Sequence, residues 1–324
     1  MPQFDPIGQY LTEQLVIYKK ALYEVDTGEF WALNPNVNFI KRNGDLPLGV
    51  NELRMFNRQY FGSASIYDGK ASDIPIVSYM NRMGTVPAII IIDGAEWNTF
   101  DLKQEALANS AGRGVPRQSL TNINYLAMAD FITRREHYLT LYGEESRSIF
   151  GLYNQPGITK LDYAVTNIYD TATVTPAMIY ALFIGWIGQF MSQSLNSNSG
   201  QIDIKIPERL MTRLSEPFSA TSPNITVFQM LTDSTKGRSV GSITSAIEGE
   251  GQNLILNITG LPATRDRIIF KSAGDALEQD FYPRDTSAEV QINPITWQVV
   301  SYSGISSVYT GRSNRVMYVD IRNA

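Results

Sequence analysis

The apolar positions of the chain predict one long amphipathic helix from about Arg117 to Tyr142. Apolar and long side chains recur there at spacings of three or four, which is the period of one helix face. The members of this stripe are Leu120, Ile123, Ala127, Phe131, Arg134 and Tyr138. Pro116 and Ser119 favour a helix start, and Gly143 favours an end. At about 1.5 Å per residue this helix would be about 40 Å long, so it suits a strut better than a compact core element.

A second helix is predicted from Thr175, as the N-cap, to about Ser194, with Pro176 in its first turn. It contains the most apolar run of the chain, Ala177 to Met191, which also holds two glycines and a glutamine. This run has about 15 residues, whereas a membrane-spanning helix needs about 20. We therefore expect a buried helix of a soluble protein and no membrane partner.

Residues 60–77, which precede the long helix, predict a projecting hairpin. Two alternating runs, Tyr60 to Tyr67 and Lys70 to Val77, flank Asp68 and Gly69, which favour a tight turn with positive φ. Arms of eight residues would extend the tip by about 25 Å. An isolated two-stranded ribbon is only marginally stable in water. The hairpin must therefore rest either on its own domain or on another copy of the protein.

Other segments have simpler patterns. Tyr10 to Tyr23 is amphipathic and is predicted to be a helix in an N-terminal arm, lying on another surface. Val86 to Asp93, with four successive isoleucines, predicts a strand buried on both faces, and Lys103 to Pro116 predicts a polar connector. Beyond residue 200 the pattern predicts strands with one short helix, Ile225 to Leu231. The predicted strands are Gln201 to Ile206, Leu254 to Thr259, Arg267 to Phe270, Glu289 to Ile292, Thr296 to Tyr302 and Val316 to Ile321.

Composition excludes several classes of function. The 324 residues are 43% hydrophobic and 18% charged, with a net charge of −5. The chain has no Cys and one His, which excludes disulfides, thiolate zinc sites and iron–sulfur clusters. The small acidic excess argues against a protein that coats nucleic acid. The first ten residues show no secretory signal, so we expect a cytosolic, soluble product.

Candidate catalytic and metal-binding residues are few. The motif GRSVG around Ser239 matches the nucleophile elbow, but an elbow needs a strand before the serine and a helix after it. Here polar turn formers precede Ser239 and an alternating, strand-like run follows it, so we interpret the motif as a loop. We interpret His137 as a surface or interface histidine, and Asp93, Glu96 and Asp101 as solvated carboxylates. The sequence thus predicts no catalytic site, no metal and no cofactor.

The order of four segments resembles the major capsid proteins of tailed bacteriophages, whose fold is shared with encapsulin shells. The segments resemble, in turn, the extended loop of that family, its spine helix, the turn after the spine and the late strands that return to the peripheral domain. They are Arg54 to Val77, with its closing D-x-P motif, Arg113 to Gly143, Phe150 to Ile158 (FGLYNQPGI) and Ile295 to Ile321. The resemblance extends from about residue 50 to the end of the chain.

This resemblance implies an α+β fold with five parts. They are an N-terminal arm at 1–45, an extended β-hairpin loop at 46–82, a peripheral domain with the long spine helix at 83–158, an axial domain at 159–293, and strands at 294–324 that return to the peripheral domain. The arm is too short to contain a large scaffolding segment.

The resemblance also implies a function. The chain would be a major capsid protein whose hexamers and pentamers form the icosahedral head shell around double-stranded DNA, without sequence-specific contacts to it. Its other partners would be neighbouring capsomers, a portal and a separate scaffolding or decoration protein. It would be found in the virion, after assembly in the host bacterial cytoplasm. The alternatives are an encapsulin-type compartment shell and a hydrolase that depends on Ser239.

The candidate contacts between subunits lie on the hairpin and the spine helix. They are Ile66, Tyr67, Asp68, Gly69, Lys70, Ile74, Arg134 and Arg135. Some members of the family join subunits covalently through a loop lysine. Lys70 is at the predicted hairpin tip, but we interpret it as a surface lysine.

Overall fold

The computed structural model describes residues 31–33, 39–61, 78–110, 120–163, 166–193, 201–219, 222–233, 240–250, 261, 263–274 and 276–323. The described residues belong to two compact units. The first unit contains those within 92–132 and 285–302, and the second contains those within 30–91, 133–284 and 303–324. The predicted hairpin tip, the N-terminal arm and Leu254 to Thr259 lie outside the described residues.

The long helix, the apolar helix and the short helix are confirmed. The helices are α1 (Thr99–Ser110), α2 (Leu120–Tyr142), α3 (Pro176–Gln193), α4 (Glu208–Leu214) and α5 (Val227–Thr232). At the start of α3, Met178 N–H donates to Thr175 Oγ1 at 3.4 Å, as expected for the predicted N-cap. Thr226 and Gln229 form a reciprocal capping box at the start of α5.

The prediction of a polar connector at Lys103 to Pro116 is wrong for its first part, because α1 includes residues up to Ser110. The signal that indicates this helix is a capping pair. Phe100 N–H donates to Asn98 Oδ1 at 2.8 Å, and Asn98 N–H donates to Asp101 Oδ2 at 3.2 Å. These bonds satisfy amides at the start of α1 that have no partner within a helix.

The strands form two larger sheets and two short ribbons. The strands are β1 (Lys41–Asn43), β2 (Glu52–Phe61), β3 (Ser78–Asn98), β4 (Gly143–Glu144), β5 (Ile149–Phe150), β6 (Thr159–Tyr163), β7 (Ile202–Pro207), β8 (Pro217–Ser219), β9 (Ser222–Thr226), β10 (Val240–Ala246), β11 (Arg265–Ser272), β12 (Glu278–Thr286), β13 (Val290–Asn293), β14 (Thr296–Ser306) and β15 (Val316–Arg322). One sheet has the order β10-β7-β11-β15-β6. The other has the order β1-β12-β14-β3-β2, with β13 paired to β14. Residues 78–91 of β3 and 303–306 of β14 belong to the second unit, and the rest of each strand belongs to the first.

The central strands β7, β11 and β15 of the five-stranded sheet in the second unit are buried on both faces. Alternate residues of β11 and β15 enter two different apolar clusters: Phe270 and Val319 pack with α3, while Ile269 and Tyr318 pack with the end of α2. Such a sheet needs apolar side chains at successive positions, which is the pattern that Arg267 to Phe270 and Val316 to Ile321 show. The predictions of these strands are confirmed.

The antiparallel pair β2–β3 runs in continuous register from Glu52 opposite Pro87 to Phe61 opposite Ser78. This pair leads directly into residues 62–77. Of the two predicted hairpin arms, only Tyr60 and Phe61 fall within described residues, and both lie in β2. The turn at Asp68 and Gly69 therefore stays a prediction.

One prediction of burial is wrong. Val86 to Asp93 does form part of β3, but Ile90 is exposed and Ile92 is 66% exposed, so the strand is not buried on both faces. On α2, Ile123 and Phe131 of the predicted stripe are exposed, while Met128, Ile132 and Leu139 are buried. The periodicity therefore predicts the helix, but the face of α2 that the described chain buries consists of other positions than the predicted stripe.

Candidate assembly surfaces

The end of α2 is held by the turn that follows it, residues 151–157. The last carbonyl groups of a helix have no partner within the helix. Here three donors of the turn satisfy three successive carbonyls. The bonds run from Leu152 N–H to Thr140 O at 2.8 Å, from Tyr153 N–H to Leu141 O at 2.9 Å, and from Asn154 Nδ2 to Tyr142 O at 2.7 Å. The GLYNQPG segment therefore fixes the position of the helix end.

Two glycines allow this close approach. Gly143 has φ of +67°, and a Cβ there would lie 2.2 Å from Ile149 O. A Cβ on Gly151 would lie 2.4 Å from the carbonyl carbon of Leu141. No larger residue fits at either position without moving backbone.

A buried arginine connects the turn to the five-stranded sheet. Arg267, 2% exposed, makes two bonds to Asp320, from Nε at 2.6 Å and from Nη2 at 2.7 Å, and its Nη1 donates to Tyr153 O. The Tyr318 hydroxyl donates to Leu152 O, and burial raises the pKa of Tyr318. These contacts make the turn part of the core rather than a surface loop.

His137 is not on the surface, so this part of the prediction of a surface or interface histidine is wrong. Its side chain is only 13% exposed, and its Nε2 lies 4.0 Å from Glu248 Oε1. Burial lowers the pKa of His137 to about 4, so the imidazole is neutral at pH 7. The prediction overlooked that α2 turns this position toward residues 247–249 of the same unit.

The other chemical candidates are not assembled into a site. Asp93 accepts from Gly94 N–H at 2.9 Å, Glu96 from Gln298 Nε2 at 3.1 Å, and Asp101 caps α1. Among the described residues, no group of three or more acidic or imidazole side chains could hold a metal ion.

The GRSVG motif lacks the context of a nucleophile elbow. Ser239 lies outside the described residues, but the residues that follow it form strand β10, from Val240 to Ala246. An elbow requires a helix at this point.

Of the eight candidate contact residues, the structure describes only the two arginines. Arg135 pairs with Glu144 at 2.9 Å, and its guanidinium lies 5.4 Å from the ring centroid of Tyr138. Arg134 is exposed. The remaining six, from Ile66 to Ile74, lie outside the described residues, so their proposed role stays a prediction.

Sequence reasoning missed a more extensive surface in the first unit. Fourteen large apolar side chains are exposed in the described parts of the chain, and eight of them belong to this smaller unit. The eight are Ile92, Phe100, Ile123, Leu126, Phe131, Val290, Ile292 and Ile295. Strand β13 is exposed at every position. Single exposed apolar residues are normal, but a concentration of this kind is typical of a protein contact surface.

Among the described residues of the first unit, one small apolar cluster is buried. Trp97, Met128 and Val299 are buried together, and Trp97 and Tyr125 contact edge to face with ring centroids 6.4 Å apart. The Tyr125 hydroxyl donates to Glu289 Oε1 at 3.1 Å. Covering the exposed apolar residues of this unit would add to the burial that this cluster provides.

Comparison with solved structures identifies the fold. The capsid protein of Myoviridae phage XM1 matches 95% of this chain over 97% of its own length, with 12% identity and a TM-score of 0.71. The mature capsid protein of bacteriophage PhiM1 matches 96% of this chain over 92% of its own, with 11% identity and a TM-score of 0.57. The SrpI encapsulin of Synechococcus elongatus PCC 7942 matches 100% over 98%, with 10% identity and a TM-score of 0.52. No protein-family model and no curated protein matches the sequence.

The chain therefore has the α+β fold shared by the capsid proteins of tailed phages and by encapsulins. This confirms, at the level of the fold, the resemblance carried by the four sequence segments. Among the described helices, none has the length and apolar character needed to cross a membrane.

Proposed function

We propose that this protein is the major capsid protein of a tailed phage, whose hexamers and pentamers form an icosahedral head shell around double-stranded DNA. One observation carries the proposal: a chain with this fold leaves eight large apolar side chains of its smaller unit exposed. Covering an isoleucine or phenylalanine side chain completely contributes about 1.5–3 kcal/mol. Repeated contacts of this size between copies can drive closed, symmetric assembly.

The encapsulin-type shell is the second candidate, because it has the same fold. The hypothesis of a phage capsid protein is favoured by TM-scores, which are 0.71 for the XM1 capsid protein and 0.52 for the encapsulin. The contents of particles distinguish the two, since a compartment shell encloses a protein and a phage head encloses DNA.

A structural rather than an enzymatic role is the third element of the proposal. It is supported by the strand after Ser239 and by the neutral, buried state of His137. Replacement Ser239→Ala should leave assembly unchanged. A hydrolytic activity that this replacement abolishes would contradict the proposal.

We also propose the finer assignments of parts and partners. The part at 159–293 would be the axial domain, because α3, β7 and β11 share one apolar cluster there. The 46–82 loop would contact a neighbouring subunit, since β2 and β3 lead into residues 62–77 as an antiparallel pair. A portal and a scaffolding or decoration protein would be the further partners, in a virion assembled in the bacterial cytoplasm.

Deletion of Tyr67 to Ser72 tests the loop. The subunit should stay folded, because the buried apolar clusters outside the loop keep their contacts. It should not assemble, because it lacks the tip that would contact a neighbouring subunit. Shells that form normally from this variant, seen by electron microscopy, would refute a role of the loop in assembly.

The apolar surface is tested by Ile292→Asp, with Ile292→Val as the matched control. Ile292 is exposed on β13, so neither change should alter the unfolding of the isolated subunit. Electron microscopy and sedimentation should show shells for the wild type and for Ile292→Val, and unassembled subunits for Ile292→Asp. Shells from all three proteins would show that Ile292 has no role in assembly. A wild type that stays monomeric under all conditions would refute the proposed function.

A further inference from the structure

The second unit contains an apolar pocket beside the first half of α3, with a volume of about 280 Å³. Helix α3 contributes Met178, Ala181 and Leu182 to its lining. These positions are three or four residues apart, so they share one face of the helix. The other lining residues come from the chain that precedes α3, starting with Tyr163 at the end of β6.

The pocket extends to the main apolar cluster of the unit. Two of its lining residues, Ile168 and Val174, are 0% and 2% exposed and belong to the cluster that packs around α3. Met178, in contrast, is 48% exposed. The pocket therefore opens to solvent beside Met178 and has buried apolar side chains on its inner side.

A buried arginine fixes the inner side of the pocket. Arg213 is 6% exposed, and it donates from Nε to Ile168 O at 3.4 Å and from Nη2 to Val174 O. Between these two residues, Asp170 O accepts from Val174 N–H at 2.9 Å. The backbone that carries the lining is thus held by hydrogen bonds before any ligand binds. A ligand does not have to order it, which lowers the free-energy cost of binding.

The lining indicates the chemistry of the ligand. None of the described lining residues carries a charge, and an ionic group that is removed from water without a partner is strongly destabilised. The ligand should therefore be neutral. The lining includes one aromatic residue, Tyr163, and one methionine, Met178. Aromatic rings and thioether sulfur both contact other aromatic rings favourably.

The volume of the pocket limits the size of the ligand. An apolar cavity of about 150 Å³ in another protein binds benzene, so this larger pocket has room for about two fused rings. We propose that the pocket binds a neutral aromatic small molecule of about the size of indole. The site consists of residues of the second unit alone, and it does not depend on the proposed shell function.

Equilibrium dialysis of the full-length protein against indole tests the proposal. We expect about one bound indole per chain, with a dissociation constant of about 0.1–1 mM, because a molecule of this size makes few contacts. Indole-3-carboxylate has the same rings and a charge, and it should bind at least about tenfold more weakly. Equal binding of the two compounds, or no binding of indole, would overturn the proposal.

A replacement that fills the pocket tests its location. Ala181 is an exposed lining residue, so Ala181→Phe should leave the subunit folded and weaken indole binding at least about tenfold by occupying the space. The matched control is Gln189→Phe, at an exposed position about two turns further along α3 that does not line the pocket. It should bind indole as the wild type does. Equal affinities of the two variants would contradict the proposed site.

The methyl group of Met178 gives a second readout that needs no change in the pocket. In protein labelled at the methionine methyl groups, bound indole should shift the NMR signal of Met178, which is assigned with Met178→Leu. Shifts confined to other methionines would place indole elsewhere and overturn the proposal. Indole binding that is lost when subunits associate would show that a second copy fills the pocket, and would overturn the assignment to a small molecule.

Discussion

The side-chain amide of Asn154 donates a 2.7 Å hydrogen bond to the carbonyl oxygen of Tyr142, the last residue of α2. The Oδ1 atom of the same side chain accepts from Gly151 N–H at 2.6 Å. One asparagine thus satisfies both a helix-terminal carbonyl and a backbone amide of the turn.

We predict that Asn154→Ala lowers the free energy of unfolding by about 1–3 kcal/mol, because it leaves both backbone groups without their partner. Urea unfolding of the unassembled subunit measures the effect. The control is Asn51→Ala, at an exposed asparagine, where we expect a change below about 0.5 kcal/mol. Equal effects of the two replacements would mean that the turn does not stabilise the helix end.

Glycine at position 151 is required by close approach rather than by a turn conformation. Gly151→Ala should destabilise the subunit by at least about 3 kcal/mol, since the new Cβ meets the backbone of Leu141. At Gly157 φ is +72°, and a new Cβ would meet no atom within 4 Å. Gly157→Ala therefore tests the effect of φ alone and should lower the free energy of unfolding by about 1–2 kcal/mol.

The matched control for both glycine replacements is Gly188→Ala, in the interior of α3 at an exposed position with open space around the Cβ. It should stabilise the subunit by about 0.5–1 kcal/mol. Thermal unfolding of the three variants should rank them in this order, and a harmless Gly151→Ala would contradict the observed packing of the turn.

Two neighbouring arginines of β11 should differ sharply. Arg267→Met leaves the carboxylate of Asp320, which is only 16% exposed, without its partner and should cost about 3–5 kcal/mol. Arg265 pairs with Asp162 at 3.2 Å, but that aspartate is 65% exposed. Arg265→Met should therefore cost about 0–1 kcal/mol. Chemical unfolding of both variants checks the difference, and similar losses would show that burial is not what makes the Arg267 pair important.

His137 should make the subunit less stable as the pH falls. Its pKa is about 4 in the folded protein, against an ordinary value of 6.5, so the unfolded chain binds a proton between these values and the folded chain does not. Stability is therefore lost as the pH decreases through this window, by about 2 kcal/mol from pH 7 to pH 5. Burial is the cause of the lowered pKa, and the carboxylate of Glu248 lies 4.0 Å from the ring.

The measurement is the unfolding free energy of the wild type and of His137→Gln at pH 7 and pH 5. Glutamine does not titrate, so the variant should lack this part of the pH dependence, while the contributions of the carboxylates remain in both proteins. A wild type and a variant with the same pH dependence would contradict the predicted role of His137.

How much the sequence could predict differs between elements. The apolar period, the stop at Gly143 and the N-cap at Thr175 were sufficient to locate α2 and α3, because helix formation and helix termini depend on residues within four positions of one another. The capping pair of Asn98 and Asp101 is a local signal that also indicates α1. The contacts of the GLYNQPG turn could not be predicted from the sequence. Two of its partners are backbone carbonyls, of Thr140 and Leu141, which any residue would provide, and the third, Arg267, is distant in sequence.

By itself, the sequence determined the secondary structure of the strongly periodic segments, the absence of cysteine chemistry and the order of segments that resembles a capsid protein. Tertiary structure alone decided which apolar face of α2 is buried and that Ile92, Ile292 and Phe131 remain exposed. The physical reason is that periodicity records where apolar side chains must avoid water. Whether the same chain or another surface removes that water depends on contacts between segments far apart in sequence.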